Sequence, residues 1–174
     1  MVHGHQSLTS LNLGNGLTVK NRNRIHNEGL SAIMQAIATS KTPSLLQELY
    51  LSNCSITAKG LRHFKIVEES GAHFHLQILD LSYNDLGSET PKWIKSVIPT
   101  LISLNLSHTK MGSNGAYALA QHLKVAHKIN KGHILRVLDL SYNELGAEGF
   151  LKILSRLKKS TALTTLNFSG NDLS

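Results

Sequence analysis

The sequence predicts an α/β fold, a solenoid of about six repeats with short parallel strands on one face and helices on the other. Three observations predict it. The pattern Leu-x-x-Leu-x-Leu recurs from Leu8 to near the C-terminus. Two copies extend into almost the same dodecapeptide, LQILDLSYNDLG at 76–87 and LRVLDLSYNELG at 135–146. Between copies, apolar residues recur with the period of a helix.

In order, the copies are LTSLNL from Leu8, LQELYL from Leu46, LQILDL from Leu76, LISLNL from Leu101, LRVLDL from Leu135 and LTTLNF from Leu163. Every apolar position in the pattern is Leu except Phe168. Side chains alternate along a strand, so the leucines point inward and the residues between them outward. Apolar stops follow at Ile56, Leu86, Met111, Leu145 and Leu173. Leu30, Ile33 and Ile37 share one helical face, as do Ala116, Leu119, Ala120 and Leu123, and then Phe150, Leu154 and Leu157. One such strand–turn–helix unit cannot bury its own apolar side, so the copies must stack.

With LxxLxLxxNxL and helices opened by EGL, KGL, NGA or EGF, the chain resembles leucine-rich-repeat proteins of the ribonuclease-inhibitor type, from Leu8 to Ser174. The resemblance implies a curved horseshoe, with the strands on its concave face and the helices on its convex one. It also implies a ladder of asparagines whose amides satisfy buried backbone at each turn. Asn84, Asn143 and Asn171 keep that ladder, and Cys54 and Thr109 replace it. In the first repeat Asn23 of NRI stands where a displaced ladder residue would, which makes GNGLTVKNR (14–22) largely an insertion. The third repeat lacks the helix-opening glycine; Thr90 is expected to cap its helix, with Pro91 as the first helical residue.

Residues 1–7 are expected to be a lead without structure, and 8–174 the repeat domain, part of a longer protein. The alternative expectation is end-to-end self-association through uncapped repeats. Apolar residues make up 41% of the chain and aromatics 5%, so the core must be aliphatic. The single cysteine, Cys54, excludes an intramolecular disulfide and points to a reducing, cytoplasmic setting. No run approaches the roughly 18 apolar residues that span a bilayer, so no membrane partner is expected.

Function is expected on the concave columns. Mid-strand stand Asn12, Tyr50, Asp80, Asn105, Asp139 and Asn167; Glu48 lies two residues before Tyr50; Tyr83, His108 and Tyr142 lie just past their strands. These ten are the candidate partner-binding residues. Tyr is enriched at interface hot spots. The three carboxylates of this set meet no Lys or Arg there, although the chain carries a net +7. The same polar columns would serve equally as a solvated surface. The function expected is a non-catalytic protein–protein interaction module.

Two alternatives are a polyanion binder and, by the resemblance, a regulatory subunit that activates a GTPase. The pI near 9.6 invites the first. However, Lys59, Arg62, Lys65, Lys92, Lys95, Lys124, Lys128, Lys131, Lys152, Arg156, Lys158 and Lys159 map to helices and loops with few aromatics for base stacking, which disfavours nucleic acid. HGH at 3–5 and HFH at 73–75 lack the further ligands of a zinc site, so no metal and no cofactor is expected. The chain shows no GxSxG, P-loop or HExxH, and no enzyme is expected. Trp93 is read as a packing residue.

Overall fold

The computed structural model describes residues 7–18, 23–72, 74–130, 134–158 and 160–174. The expectations for residues 1–6, for the last part of the insertion at 19–22, and for His73, Lys131 and Lys159 lie outside these residues.

Each repeat opens with a three-residue strand: β1 Ser10–Asn12, β2 Glu48–Tyr50, β3 Ile78–Asp80, β4 Ser103–Asn105, β5 Val137–Asp139 and β6 Thr165–Asn167. The strands pair in parallel and in sequence order within one six-stranded sheet. Register is strict, so Leu11, Leu49, Leu79, Leu104, Leu138 and Leu166 lie side by side. In β2 to β5 the central Leu is buried and its two neighbours are half-buried, as alternation requires.

The other face carries α1 His26–Ala38, α2 Ala58–Leu61, α3 Phe64–Ser70, α4 Thr90–Trp93, a 3-10 turn at Ile98–Thr100, α5 Gly112–Ile129 and α6 Gly146–Leu157. Leu30, Ile33 and Ile37 of α1 are buried, and so are Ala116, Leu119, Ala120 and Leu123 of α5. In α6 the buried stripe is Gly149, Ile153 and Leu157; Phe150 and Leu154 are only half-buried. Phe150 lies edge-on to Phe168, with centroids 4.9 Å apart, beside the sixth strand rather than under a neighbouring helix. Leu173 is also exposed, whereas the stops at Ile56, Leu86, Met111 and Leu145 are buried under the repeat that follows each.

One helix start differs from expectation. Glu89, not Thr90, precedes α4, so Pro91 is the second helical residue, and the Thr90 hydroxyl bonds back to Gly87 O at 2.7 Å. The helix-opening glycines serve close packing. A Cβ on Gly149 would stand 2.9 Å from Ala116 Cβ, and one on Gly115 would stand 3.2 Å from Ser88 Cα. Small residues at these points let successive helices approach as closely as the strands require.

The turn ladder joins the repeats. Asn84 Oδ1 accepts the backbone N–H groups of Cys54 and Ile56 at 3.1 and 2.9 Å, and its Nδ2 donates to Leu51 O and Leu81 O at 2.8 and 2.9 Å. Asn143 and Asn171 repeat the arrangement. Where the amide is missing, the Cys54 thiol donates to Leu13 O at 3.2 Å, and the Thr109 hydroxyl reaches Leu106 O at 2.8 Å. Asn23 holds the displaced ladder position in the first repeat: its Nδ2 donates to Leu13 O at 3.4 Å, and His26 N bonds Cys54 O as Gly87 N bonds Thr109 O.

Candidate functional site: the outer sheet face and its aromatic rim

The mid-strand column is tied to the turn that follows it. Asn12, Asp80, Asn105, Asp139 and Asn167 each use Oδ1 to accept the backbone N–H two residues on, at 2.9–3.1 Å. These are Asx turns, which bend the chain out of the strand toward the helix side. Polar residues at these positions therefore have a structural task whatever else they do. Asp139 goes further. Its Oδ1 also takes the Ser141 hydroxyl at 2.6 Å, and its Oδ2 takes Asn167 Nδ2 at 3.0 Å.

Tyr50 is the exception in the column. Its hydroxyl donates a long bond of 3.4 Å to Glu48 Oε2. Burial, then the charge and hydrogen bond of Glu48, and then the charge of Asp80 all raise the pKa of this hydroxyl. The register sets Tyr50 directly beside Asp80. Among the described residues the ion pairs are Lys65–Glu69, Lys92–Glu89, Lys95–Glu68 and Lys110–Asp85, and none reaches Glu48, Asp80 or Asp139.

Past the strands the inter-repeat bonding continues. Asn53, Tyr83, His108 and Tyr142 each donate their N–H to the serine carbonyl of the next repeat, at 2.8–3.0 Å. All four have positive φ, between 53° and 56°. That conformation costs a residue with a Cβ about 1–2 kcal/mol, and the inter-repeat bond holds it. In-register repeats about 4.8 Å apart bring like positions within stacking distance. The rings of Tyr83, His108 and Tyr142 form one continuous stack, with centroids 4.2 and 4.3 Å apart and planes 16° and 13° from parallel. Tyr83 is 37% and Tyr142 54% exposed, so the row presents ring edges and phenols to solvent. The row ends on Gly170, where a Cβ would stand 2.4 Å from Tyr142 Cδ1.

The structure thus gathers eight of the ten candidates into three groups. Glu48, Tyr50 and Asp80 lie together on β2 and β3; Asp139 and Asn167 lie together on β5 and β6; Tyr83, His108 and Tyr142 form the rim. Asn12 and Asn105 stand in the mid-strand row, each closing its own turn. Sequence reasoning placed the tyrosines in columns but missed their contact, and it missed Gly170. The signal for Gly170 was present in the aligned series SYN, SHT, SYN and SGN.

Elsewhere, part of the basic side is engaged. Lys92 and Arg62 lie over the Trp93 ring at 4.7 and 5.4 Å, and Lys152 lies over Tyr117 at 4.3 Å. A groove of about 560 Å³ at the opposite rim, lined in part by Gln77, Pro99, Ile102, Ile134 and Arg136, includes none of the candidate residues. No helix among the described residues is long and apolar enough to cross a membrane.

A family described as Leucine Rich repeat matches residues 72–89, 97–120 and 133–154, and a second, described as Leucine Rich Repeat, matches 45–65. The chain is 29% identical over 90% of its length to the human NACHT, LRR and PYD domains-containing protein 13, of which it covers 14%. It is 35% identical over 55% of its length to FERM domain-containing protein C of Dictyostelium discoideum, covering 6% of that protein. It is 28% identical over 84% of its length to Serine/threonine-protein kinase BRI1-like 1 of Arabidopsis thaliana, covering 11%. The chain therefore spans a small part of each relative it matches. Leucine-rich repeats generally mediate protein–protein interaction and are typically non-catalytic. The matched repeats and the single parallel sheet with its layer of helices make this chain an α/β solenoid of leucine-rich repeats.

Proposed function

We propose that the chain is a non-catalytic module that binds a protein partner through its outer sheet face, the concave side of the expected horseshoe, and through the aromatic rim beside it. The observation that carries this reading is the Tyr83–His108–Tyr142 stack. The left-handed backbone belongs to the repeat itself, since Asn53 shares it. Asn adopts that conformation readily and Tyr does not. Two half-exposed tyrosines held there give a rigid aromatic ledge, with little conformational entropy left to lose on binding.

The test substitutes Tyr83→Asn together with Tyr142→Asn, a change that the backbone already accepts at Asn53. Wild type and variant, matched by circular dichroism and melting temperature, are compared in affinity capture. A protein retained by the wild type and lost by the variant supports the reading; equal capture by both refutes it.

The ribonuclease-inhibitor subtype and a cytoplasmic setting belong to the same reading. Long helices such as α1 and α5 opposite three-residue strands support the subtype, and the single thiol of Cys54 supports the setting. End-to-end self-association is a further part of it, motivated by Leu11 and Leu166, which are half-buried while the central leucines of β2 to β5 are fully buried. Sedimentation at increasing concentration tests it; a constant mass would rule it out.

A further inference from the structure

We infer that the outer sheet face of the second and third repeats receives an arginine or lysine side chain from the protein partner, held between the carboxylates of Glu48 and Asp80. The inference rests on the protein-binding reading above and adds the chemistry of the occupant.

Acceptor capacity separates this spot from the rest of the face. Both oxygens of Asp139 are occupied, by Ser141 and by Asn167. Asp80 commits only Oδ1, to Ser82 N–H at 2.9 Å, and its Oδ2 has no hydrogen-bond partner among the described residues. Glu48 Oε2 takes only the long bond from Tyr50, and its Oε1 takes none among the described residues. An ionised carboxylate offers about four lone-pair sites, so both groups retain acceptor capacity.

Electrostatics sets the sign of the occupant. Two carboxylates on adjacent strands flank one phenol, and both raise its pKa, so their fields meet at the Tyr50 hydroxyl. Among the described residues no ion pair reaches either carboxylate, although the net charge is +7. A basic partner segment is repelled by the lysine-rich helix side and attracted to this face; an acidic segment meets the opposite field. A planar guanidinium suits two carboxylates.

Isosteric variants test this without disturbing the turns. Asp80→Asn keeps Oδ1 for Ser82, as Asn105 and Asn167 do at the same register position. Glu48→Gln keeps an oxygen for Tyr50. The probe is acetyl-hexa-arginine amide, titrated against the isotope-labelled chain and read by amide chemical shifts, with acetyl-hexa-glutamate amide as control. The arginine peptide is expected to shift signals at Glu48–Leu51 and Asp80–Tyr83. Glu48→Gln/Asp80→Asn is expected to weaken it at least about tenfold, the loss of one or two charge-assisted bonds. Asp139→Asn is expected to weaken it less than about twofold, because its oxygens are already spent. Shifts centred elsewhere, equal binding by the double variant, or glutamate-peptide binding at the same residues would overturn the inference. Capture of the natural partner separates the two levels. If Glu48→Gln/Asp80→Asn retains a partner that Tyr83→Asn/Tyr142→Asn loses, the basic occupant is overturned and the protein-binding reading stands. If all variants capture alike, both fall.

Discussion

Asn143 Oδ1 accepts the backbone N–H of Thr109 at 3.0 Å across the boundary between the fourth and fifth repeats. The same oxygen takes Met111 N at 3.1 Å, and the amide nitrogen donates to Leu106 O at 2.6 Å. All of this lies out of reach of water, with Asn143 and Thr109 both fully buried. Asn143→Ala leaves several buried backbone groups unpaired, at about 1–3 kcal/mol for each. A loss of at least about 3 kcal/mol is expected, measured by urea unfolding. Asn143→Thr, the residue found at 109, is expected to cost less because its hydroxyl can keep one of these bonds.

Gly170 is the position where the rim changes from ring to glycine. Its φ is +67°, and a Cβ there would meet the Tyr142 ring. Gly170→Ala is expected to destabilise the chain by about 1–2 kcal/mol from backbone strain. The displaced Tyr142 ring is also expected to leave His108, weakening the near-ultraviolet circular dichroism of the stack. An unchanged spectrum and melting temperature would refute the assigned contact.

Burial, with a smaller contribution from Asp80, pushes the Cys54 thiol up to about 11. The thiolate, not the thiol, attacks disulfide reagents. Ellman's reagent at pH 8 is therefore expected to label the native chain far more slowly than the urea-unfolded chain. The folded state also holds this proton more tightly than the unfolded state. That contribution to stability is complete below pH 9.0 and is lost as pH rises toward about 11. In Cys54→Ala this alkaline component is expected to vanish, which unfolding curves at pH 8 and pH 10.5 would reveal.

His122 titrates in the opposite sense. Burial first, and the charge of Lys95 second, lower its pKa below 6.5. The unfolded chain then binds the proton more readily, so stability is present above pH 6.5 and declines as pH falls through the lowered value. Lys95→Gln relieves part of this lowering and is expected to make the decline smaller and to end it at higher pH, and His122→Gln to remove the contribution of this residue. Denaturant midpoints between pH 5 and pH 7 measure both effects.

Much of the fold was legible because its determinants are local and repeated. Leu49, Leu79, Leu104 and Leu138 could be assigned to the core from alternation alone, and Asn84 and Asn143 to the ladder from their place in a repeated motif. Helix boundaries were less legible. Thr90 reads as a cap by residue type, yet its hydroxyl turns back to Gly87 O. Phe150 and Ile153 both satisfy a helical period, and only the neighbouring elements decide that Ile153 is buried and Phe150 meets Phe168.

The sequence by itself determined the solenoid, the inward leucines and the columns that face away from them, because strand alternation and stacking follow from residue spacing. Only the tertiary structure decided what those columns do. Tyr83, His108 and Tyr142 touch because register brings three distant turns within stacking distance. Asp139 and Asp80 are identical in motif, yet Asp139 is spent on Ser141 and Asn167, while Asp80 has an oxygen beside Tyr50 with no hydrogen-bond partner among the described residues. Both face an Asn on the next strand, but on the preceding strand Asp80 meets Tyr50 and Asp139 meets Asn105. The Ser82 hydroxyl bonds Ser52 where the Ser141 hydroxyl bonds Asp139, a contrast that no single repeat contains.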